Sequence, residues 1–323
     1  MTSHLLHLCV RISVYCKHFG LSAQEIREQK VTKVRGIPTC MPEILRFPRR
    51  VPPSNLKYPR NFASLSRQHL VQIMACNDCV SGMVHKGTPK GNEITVASLP
   101  TYVTGDEKGS RIVIFGPDIF GWRFVNTRLL ADEYASKGFL VFLPDLFDGR
   151  DLPQWTLSVR DPVLESPTLF QRIARPFALS VLVPFVLRNS HETQISKFTA
   201  LVNLLRNDHP GAKFGMVGFC WGGRYAIVLN SLFYATVTAH PSLVKYPEEL
   251  EGISKPISFA LAEDDHNYDA MRGKDTERRL KEKGLTEFEV VVYKGVRHGW
   301  TLRGNMEDEQ KRQARDQAFM QAV

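Results

Sequence analysis

The apolar run Phe214-Gly215-Met216-Val217 leads directly into Gly218-Phe219-Cys220-Trp221-Gly222-Gly223 and then into Arg224-Tyr225-Ala226-Ile227-Val228-Leu229. The first segment reads as a short buried strand and the last as a helix, so the chain must reverse within a few residues. A residue at the tip of such a reversal is held in a strained backbone conformation, and bulky neighbours would clash there. Gly218 and Gly222 sit two residues either side of Cys220 and remove that clash. Strand, sharp turn and helix around a glycine-flanked side chain is the layout of a nucleophile elbow. Its usual occupant is serine; here it is a thiol.

The rest of the chain supplies a frame for such a turn. Ile94 to Val103 reads as a first strand, Arg111 to Phe115 as a buried strand, and Asn126 to Lys137 as a helix closed by Gly138. Phe139 to Leu143 is again a buried strand. After an interruption come a helix over 191–207 with Ile195, Phe198, Leu201, Val202 and Leu205 on one side, and then the elbow strand. Beyond the elbow follow strands over 235–239 and 257–262, a helix near 269–283, a strand over 288–293, and a helical stretch from Glu307 to Val323 that ends without a cap. Apolar strands alternating with helices predict an α/β fold, with a mostly parallel central sheet covered on both faces. The interruption, 148–190, contains the apolar run Phe170 to Leu187 broken by Pro176 and Pro184. It is read either as a helical hairpin over the sheet's carboxyl edge, a lid, or as an insertion packed on the surface.

Charge separates an N-terminal extension from this frame. The chain carries a net charge of +9, but residues 1–73 hold 12 Lys+Arg against 3 Asp+Glu, leaving 30 against 30 in residues 74–323. The main domain is neutral, which argues against a phosphate-binding groove and nucleic-acid partners. Residues 1–73 read as a disordered basic tail, as upstream sequence before a true start at Met74, or as a mitochondrial presequence, since the first 24 residues contain no acid. No run of about 18 apolar residues is present, so no spanning helix is expected. The six cysteines, at 9, 16, 40, 76, 79 and 220, do not form the pattern of a disulfide framework. A reducing compartment, and hence a cytoplasmic location, is the expectation. Mitochondrial location is the alternative if the presequence is genuine.

A cysteine nucleophile needs a base, and the base needs an orienting group. In an open α/β sheet such groups stand on loops at the carboxyl ends of strands. Asp265, in Ala262-Glu263-Asp264-Asp265-His266, follows one strand, with Asp264 as the runner-up. His298, in Gly295-Val296-Arg297-His298-Gly299-Trp300, follows the next. The order Cys, Asp, His, at spacings of 45 and 33 residues, leaves room for a strand and a helix within each gap. It is the order expected of α/β-hydrolases. For an oxyanion, the backbone N–H of Trp221 is one candidate donor. A second is Ile119 N–H, in the loop Gly116-Pro117-Asp118-Ile119-Phe120-Gly121-Trp122.

Five collinear motifs, Pro117-Asp118-Ile119-Phe120-Gly121-Trp122, Pro144-Asp145-Leu146-Phe147, Gly218-Phe219-Cys220-Trp221-Gly222-Gly223, Ala262-Glu263-Asp264-Asp265 and His298-Gly299-Trp300, together resemble the dienelactone hydrolase (carboxymethylenebutenolidase) family across about 76–323. The resemblance implies an α/β-hydrolase domain with a Cys220-His298-Asp265 triad. It implies an acid at Asp118 that contacts and activates the thiol, where bacterial members carry glutamate. It also implies substrate-binding arginines, and Arg303 and Arg150 sit near their places as the residues expected to bind a substrate carboxylate. The implied partner is a small lactone or ester, most simply one bearing a carboxylate, cleaved without metal or cofactor by a monomer or weak homodimer. Family members usually end in a full amphipathic helix, and the last helix here reads as cut short.

Residue type shapes the expected chemistry. The helix N-terminus and His298 favour thiolate character at Cys220. A thiolate leaves a tetrahedral adduct more readily than an amide nitrogen does, which favours lactones, activated esters and thioesters over peptides. The alternative is a non-catalytic protein that binds a small ligand on a hydrolase fold, against which the intact triad argues. Cys76-Asn77-Asp78-Cys79 with His85 lacks a second ligand pair for zinc and reads as an exposed N-terminal segment. His240 is either a pocket or a core histidine, and His266 a loop residue.

Overall fold

The computed structural model describes residues 77–159, 181–182 and 184–323. All of them belong to the compact unit Asn61–Val323. The readings of the basic extension, and most of the lid segment Phe170 to Leu187, lie outside the described residues.

Eight strands form one sheet, β1 (Asn92–Val96), β2 (Leu99–Thr104), β3 (Arg111–Gly116), β4 (Leu140–Pro144), β5 (Lys213–Phe219), β6 (Ala235–Ala239), β7 (Ile257–Asp264) and β8 (Phe288–Arg297). Their spatial order is β1-β2-β4-β3-β5-β6-β7-β8. β1 and β2 pair antiparallel, as do β2 and β4; every later pairing is parallel. The expected mostly parallel sheet is therefore present. The expected first strand over 94–103 is instead the hairpin β1–β2. Ala97 (φ 49°) and Ser98 (φ 64°) form its two-residue turn. Two successive left-handed residues match the twist of the flanking strands.

Among the described residues, the α-helices with both ends described are α1 (Val125–Ser136), α2 (His191–Asp208), α3 (Trp221–Val228), α4 (Ala270–Glu282), α5 (Trp300–Arg303) and α6 (Glu309–Ala322). Their ends follow local chemistry. The Ser190 hydroxyl accepts from Thr193 N–H at the start of α2, and the Asp269 and Asp308 side chains accept from the N–H groups of Arg272 and Lys311 at the starts of α4 and α6. Such caps satisfy amides that the first helical turn leaves orphaned. Phe198, Leu201, Val202 and Leu205 of α2 are buried against one face of the sheet, beside Ile112, Ile114 and Met216. Leu130, Tyr134, Ala314 and Ala318 of α1 and α6 cover the other, beside Val113, Phe115 and Val217. Burial on both faces explains why the central strands are continuously apolar.

The topology fixes where a site can form. From β3 the chain crosses by α1 to β4 on one side, then returns by α2 to β5 on the other. The carboxyl ends of β3 and β5 therefore flank a topological switch point, where open α/β sheets bind ligands. The two strands stay in register to their last residues, with Gly116 opposite Gly218. The loops that follow them are thus brought side by side.

Candidate active site

Cys220 has φ 51° and ψ −110°, at the N-cap of α3. An L-residue pays for left-handed backbone with steric strain, so the surrounding chain must hold it there. Cys220 N–H donates to Ala239 O (3.1 Å), and Cys220 O accepts from Gly223 N–H (3.1 Å) and Ser242 N–H (3.0 Å). A Cβ on Gly218 would sit 2.2 Å from Gly222 O, and one on Gly222 would sit 2.0 Å from Gly116 O. The glycines expected at the elbow are therefore imposed by backbone packing as well as by the turn.

His298 and Asp265 meet behind this thiol. His298 Nδ1 donates to Asp265 Oδ2 at 2.8 Å, and both side chains are wholly buried. Asp265 Oδ1 also accepts from Asn267 N–H at 2.8 Å. Glu263 and Asp264 are both exposed while Ala262 and Asp265 are buried, which breaks strand alternation. The cause is a bulge at Ala262/Asp264 in the pairing of β7 with β8, a device that re-aims a side chain. It turns Asp265 inward and leaves Asp264 outside, paired with Arg297 at 2.9 Å.

Burial pulls the His298 imidazole down, but Asp265, by charge and by its hydrogen bond, together with the charge of the Cys220 sulfur, outweighs it and pushes it up to about 10. Its neighbour His240 behaves oppositely. Burial, then the charges of His298 and Arg303, hold it well below 6.5. The two rings lie 5.0 Å apart, edge to face. His240 Nε2 bonds the Thr301 hydroxyl at 2.6 Å. It is a buried histidine backing the site, whereas His266 is an exposed loop residue.

The loop after β3 sits against the elbow, with Gly222 N–H donating to Pro117 O at 3.1 Å. Ile119 and Trp221 are buried beside Cys220 in one cluster. Neither of their amides donates to another group among the described residues. Asp118 takes a different place from the expected thiol contact. Its Oδ1 accepts from Phe120 N–H (3.0 Å), and its Oδ2 lies 3.3 Å from Arg303 Nη1. Burial raises its carboxyl, and Arg303 works against that rise.

Arg303 also departs from expectation. The short helix α5 turns it inward, where it is 2% exposed. Its Nη1 donates to Cys79 O at 2.6 Å as well as facing Asp118. A buried guanidinium engaged in this way does not present itself to a substrate carboxylate. Arg150, by contrast, is exposed and lines a cleft of about 340 Å³ together with Phe147, Asp151, Phe185, Arg188 and Asn189. The Phe185 and Phe147 rings stand 5.3 and 6.2 Å from that of Trp221, the residue after Cys220.

Two neighbours of the thiol were not legible in the sequence. Ser242 Oγ lies 3.5 Å from Cys220 Sγ; its place just after β6, at the same edge of the sheet, is the only signal for it. Cys79 Sγ lies 4.0 Å from Cys220 Sγ. The exposed setting expected for Cys79 is incorrect, since it is 6% exposed and disulfide-bonded, whereas Cys220 is a free thiol. The reason is long-range. Residues 79–85 are strapped across the site by Arg303, by Met83 N–H donating to Arg303 O (3.0 Å), and by Asn126 Nδ2 donating to Met83 O (2.8 Å). Cys79, Cys220 and His298 offer ligand atoms within 4.8 Å of one another. With the Cys79 sulfur held in a disulfide, however, that trio lacks a thiolate pair for a metal.

Residues 99–323 match the model of the dienelactone hydrolase family. The chain belongs to that family. Membership makes it an ester/lactone hydrolase. Hydrolase tropI of Talaromyces stipitatus is 30% identical over 249 residues, covering 76% of this chain and 92% of the relative. A carboxymethylenebutenolidase homolog of Mus musculus is 27% identical over 224 residues, covering 66% and 80%. Among solved structures, a putative dienelactone hydrolase from Klebsiella pneumoniae superposes with a TM-score of 0.52 at 18% identity, covering 73% of this chain and 98% of that one. At that identity the likeness speaks to the α/β-hydrolase fold alone.

Proposed function

We propose that Cys220, His298 and Asp265 act as a nucleophile, base and orienting acid that hydrolyse a lactone or activated ester through a thioester on Cys220. The observation that carries this reading is the strained φ of 51° at Cys220, whose sulfur lies within 4.8 Å of a His298 ring nitrogen, with His298 in turn bonded to Asp265 at 2.8 Å. Strain of this kind persists where the surrounding structure over-determines it, and it clusters at reacting groups.

The steps follow from the groups present. His298 takes the Cys220 proton, and Asp265 holds the imidazole in the required tautomer and stabilises the resulting imidazolium. The sulfur attacks the carbonyl carbon. The N–H groups of Trp221 and Ile119 face the developing oxyanion. As the tetrahedral adduct collapses, the ring or ester C–O bond breaks and His298 returns its proton to the leaving oxygen. Water deprotonated by His298 then attacks the thioester, releasing acid and free thiol. His240 is uncharged at neutral pH and does not compete with His298 for the proton.

For substrate recognition the reading favours a carboxylate-bearing molecule whose acid faces Arg150 and Arg188 in the cleft beside Phe147 and Phe185. Arg303 acts as a buried support for Asp118 and the strap. The test is Cys220→Ala, assayed against cis- and trans-dienelactone, simple lactones, p-nitrophenyl esters and thioesters. Turnover should vanish for every substrate the native chain cleaves, while the far-UV circular dichroism is unchanged. Retained turnover in this variant refutes the assignment.

A further inference from the structure

The hydrolytic scheme leaves Cys79 without a task, yet the fold places its sulfur 4.0 Å from the nucleophile. That placement is built. The Cys79 carbonyl is fixed by Arg303, whose Nη1 donates to it at 2.6 Å. The strap beyond it is tied to the body at Met83, by Asn126 and by the Arg303 carbonyl. Gly82 packs so closely on Arg303 that a Cβ there would lie 2.4 Å from the arginine Cβ. Both sulfurs are buried, and a His298 ring nitrogen lies within 4.8 Å of each. The Cys79 sulfur is part of a disulfide, while Cys220 carries a free thiol.

A thiolate beside a disulfide sulfur, with a base at hand, is the reactant pair of thiol–disulfide exchange. We propose that Cys79 is an intramolecular acceptor for Cys220, so that oxidation of the strap converts reversibly into a Cys79–Cys220 disulfide that switches hydrolysis off. His298 takes the Cys220 proton, and the Cys220 sulfur attacks the Cys79 sulfur. The bond from Cys79 to its present partner sulfur breaks, and the electron pair leaves with that partner. The displaced thiolate is then protonated. One disulfide is consumed and one is made, so no external oxidant enters the step. Closing 4.0 Å to the roughly 2.05 Å of a disulfide requires about 2 Å of sulfur movement. The reverse attack, or an added dithiol, frees Cys220.

The loss of hydrolysis rests on Cys220 being the nucleophile, whereas the sulfur exchange does not. The experiment therefore reads both. The full chain, purified without reductant, is held at pH 8, alkylated, digested without reduction and analysed by mass spectrometry. A parallel sample is first treated with dithiothreitol. A peptide pair joining Cys79 to Cys220 should be present without reductant and absent after it. Hydrolysis should be lost in proportion to the cross-linked fraction and recovered in full with dithiothreitol. Cys79→Ser keeps the backbone carbonyl that Arg303 binds, and its activity should be the same with and without reductant. Absence of the cross-linked peptide overturns the proposal. So does a Cys79→Ser variant that gains as much activity from dithiothreitol as the native chain. If the peptide forms but Cys220→Ala still hydrolyses substrate, the exchange stands and the nucleophile assignment falls.

Discussion

Gly222→Ala isolates the packing that holds the elbow. The added Cβ would lie 2.0 Å from Gly116 O, 2.2 Å from Gly116 C and 2.6 Å from Gly116 Cα, whereas ordinary contact begins near 3.4 Å. All three obstacles are backbone, so no side-chain rotation relieves them. α3 and the end of β3 must separate by about 1.4 Å, in a region that also contains the buried rings of Phe115 and Phe219. Overpacking of this kind costs typically 1–3 kcal/mol, and the backbone nature of the clash argues for the upper end, about 3 kcal/mol. For a domain of this size that lowers Tm by roughly 6–12 °C. The same displacement moves Trp221 N–H away from the β3 loop, and a misplacement of about 1 Å can cost roughly 100-fold in rate. Urea denaturation gives the first quantity and kcat at saturating ester the second. Gly252→Ala is the control, since nothing lies within 4 Å of a Cβ there. The reasoning is refuted if Gly222→Ala is as stable as Gly252→Ala.

Asp265→Asn keeps the shape of the relay and removes the charge that most raises His298. It should cost about 10³–10⁴ in kcat and move the His298 proton release downward from about 10, read as loss of the low-field Nδ1–H proton resonance at neutral pH. Asp151 provides a pH test outside the relay. Burial, aided by Asp145, raises its carboxyl to about 7. Between the ordinary carboxylate range and pH 7 the folded chain thus holds a proton that the unfolded chain has released, so this group makes stability fall as pH rises through that window. Asp151→Asn should match the native chain in stability near pH 4 and exceed it at pH 8, measured by urea midpoints.

The elbow and the convergence of Cys220, Asp265 and His298 were readable because each lies just after an apolar strand, and the strand ends of an open sheet converge. Gly218, Gly222, Asp265 and His298 each carried a local signal. The β1–β2 hairpin was missed because its turn is Ala97-Ser98, residues that do not advertise left-handed backbone as glycine or asparagine would. The strap was missed for a different reason. Cys79 is held by Arg303, 224 residues away, and Met83 by Asn126, 43 residues away. Neither contact leaves a periodic trace. Arg303 itself misled because the family resemblance implies a substrate-binding arginine near its position. The four-residue helix α5, with Gly299 at φ 87° before it, turns it inward instead.

The register irregularity at Ala262/Asp264 in β7 immediately precedes Asp265. Two imidazoles 5.0 Å apart are given opposite fates. His298 has a buried carboxylate on Nδ1 and is driven toward protonation, while His240 has only the Thr301 hydroxyl and is driven toward neutrality. Two charged imidazoles in one buried pocket would repel each other, and each would weaken the other's hold on a proton. A single carboxylate, delivered by one irregular residue in a strand, decides which ring carries it. That ring has a nitrogen within 4.8 Å of the Cys220 sulfur, so in the proposed mechanism the same carboxylate supports both hydrolysis and the attack on the Cys79 disulfide.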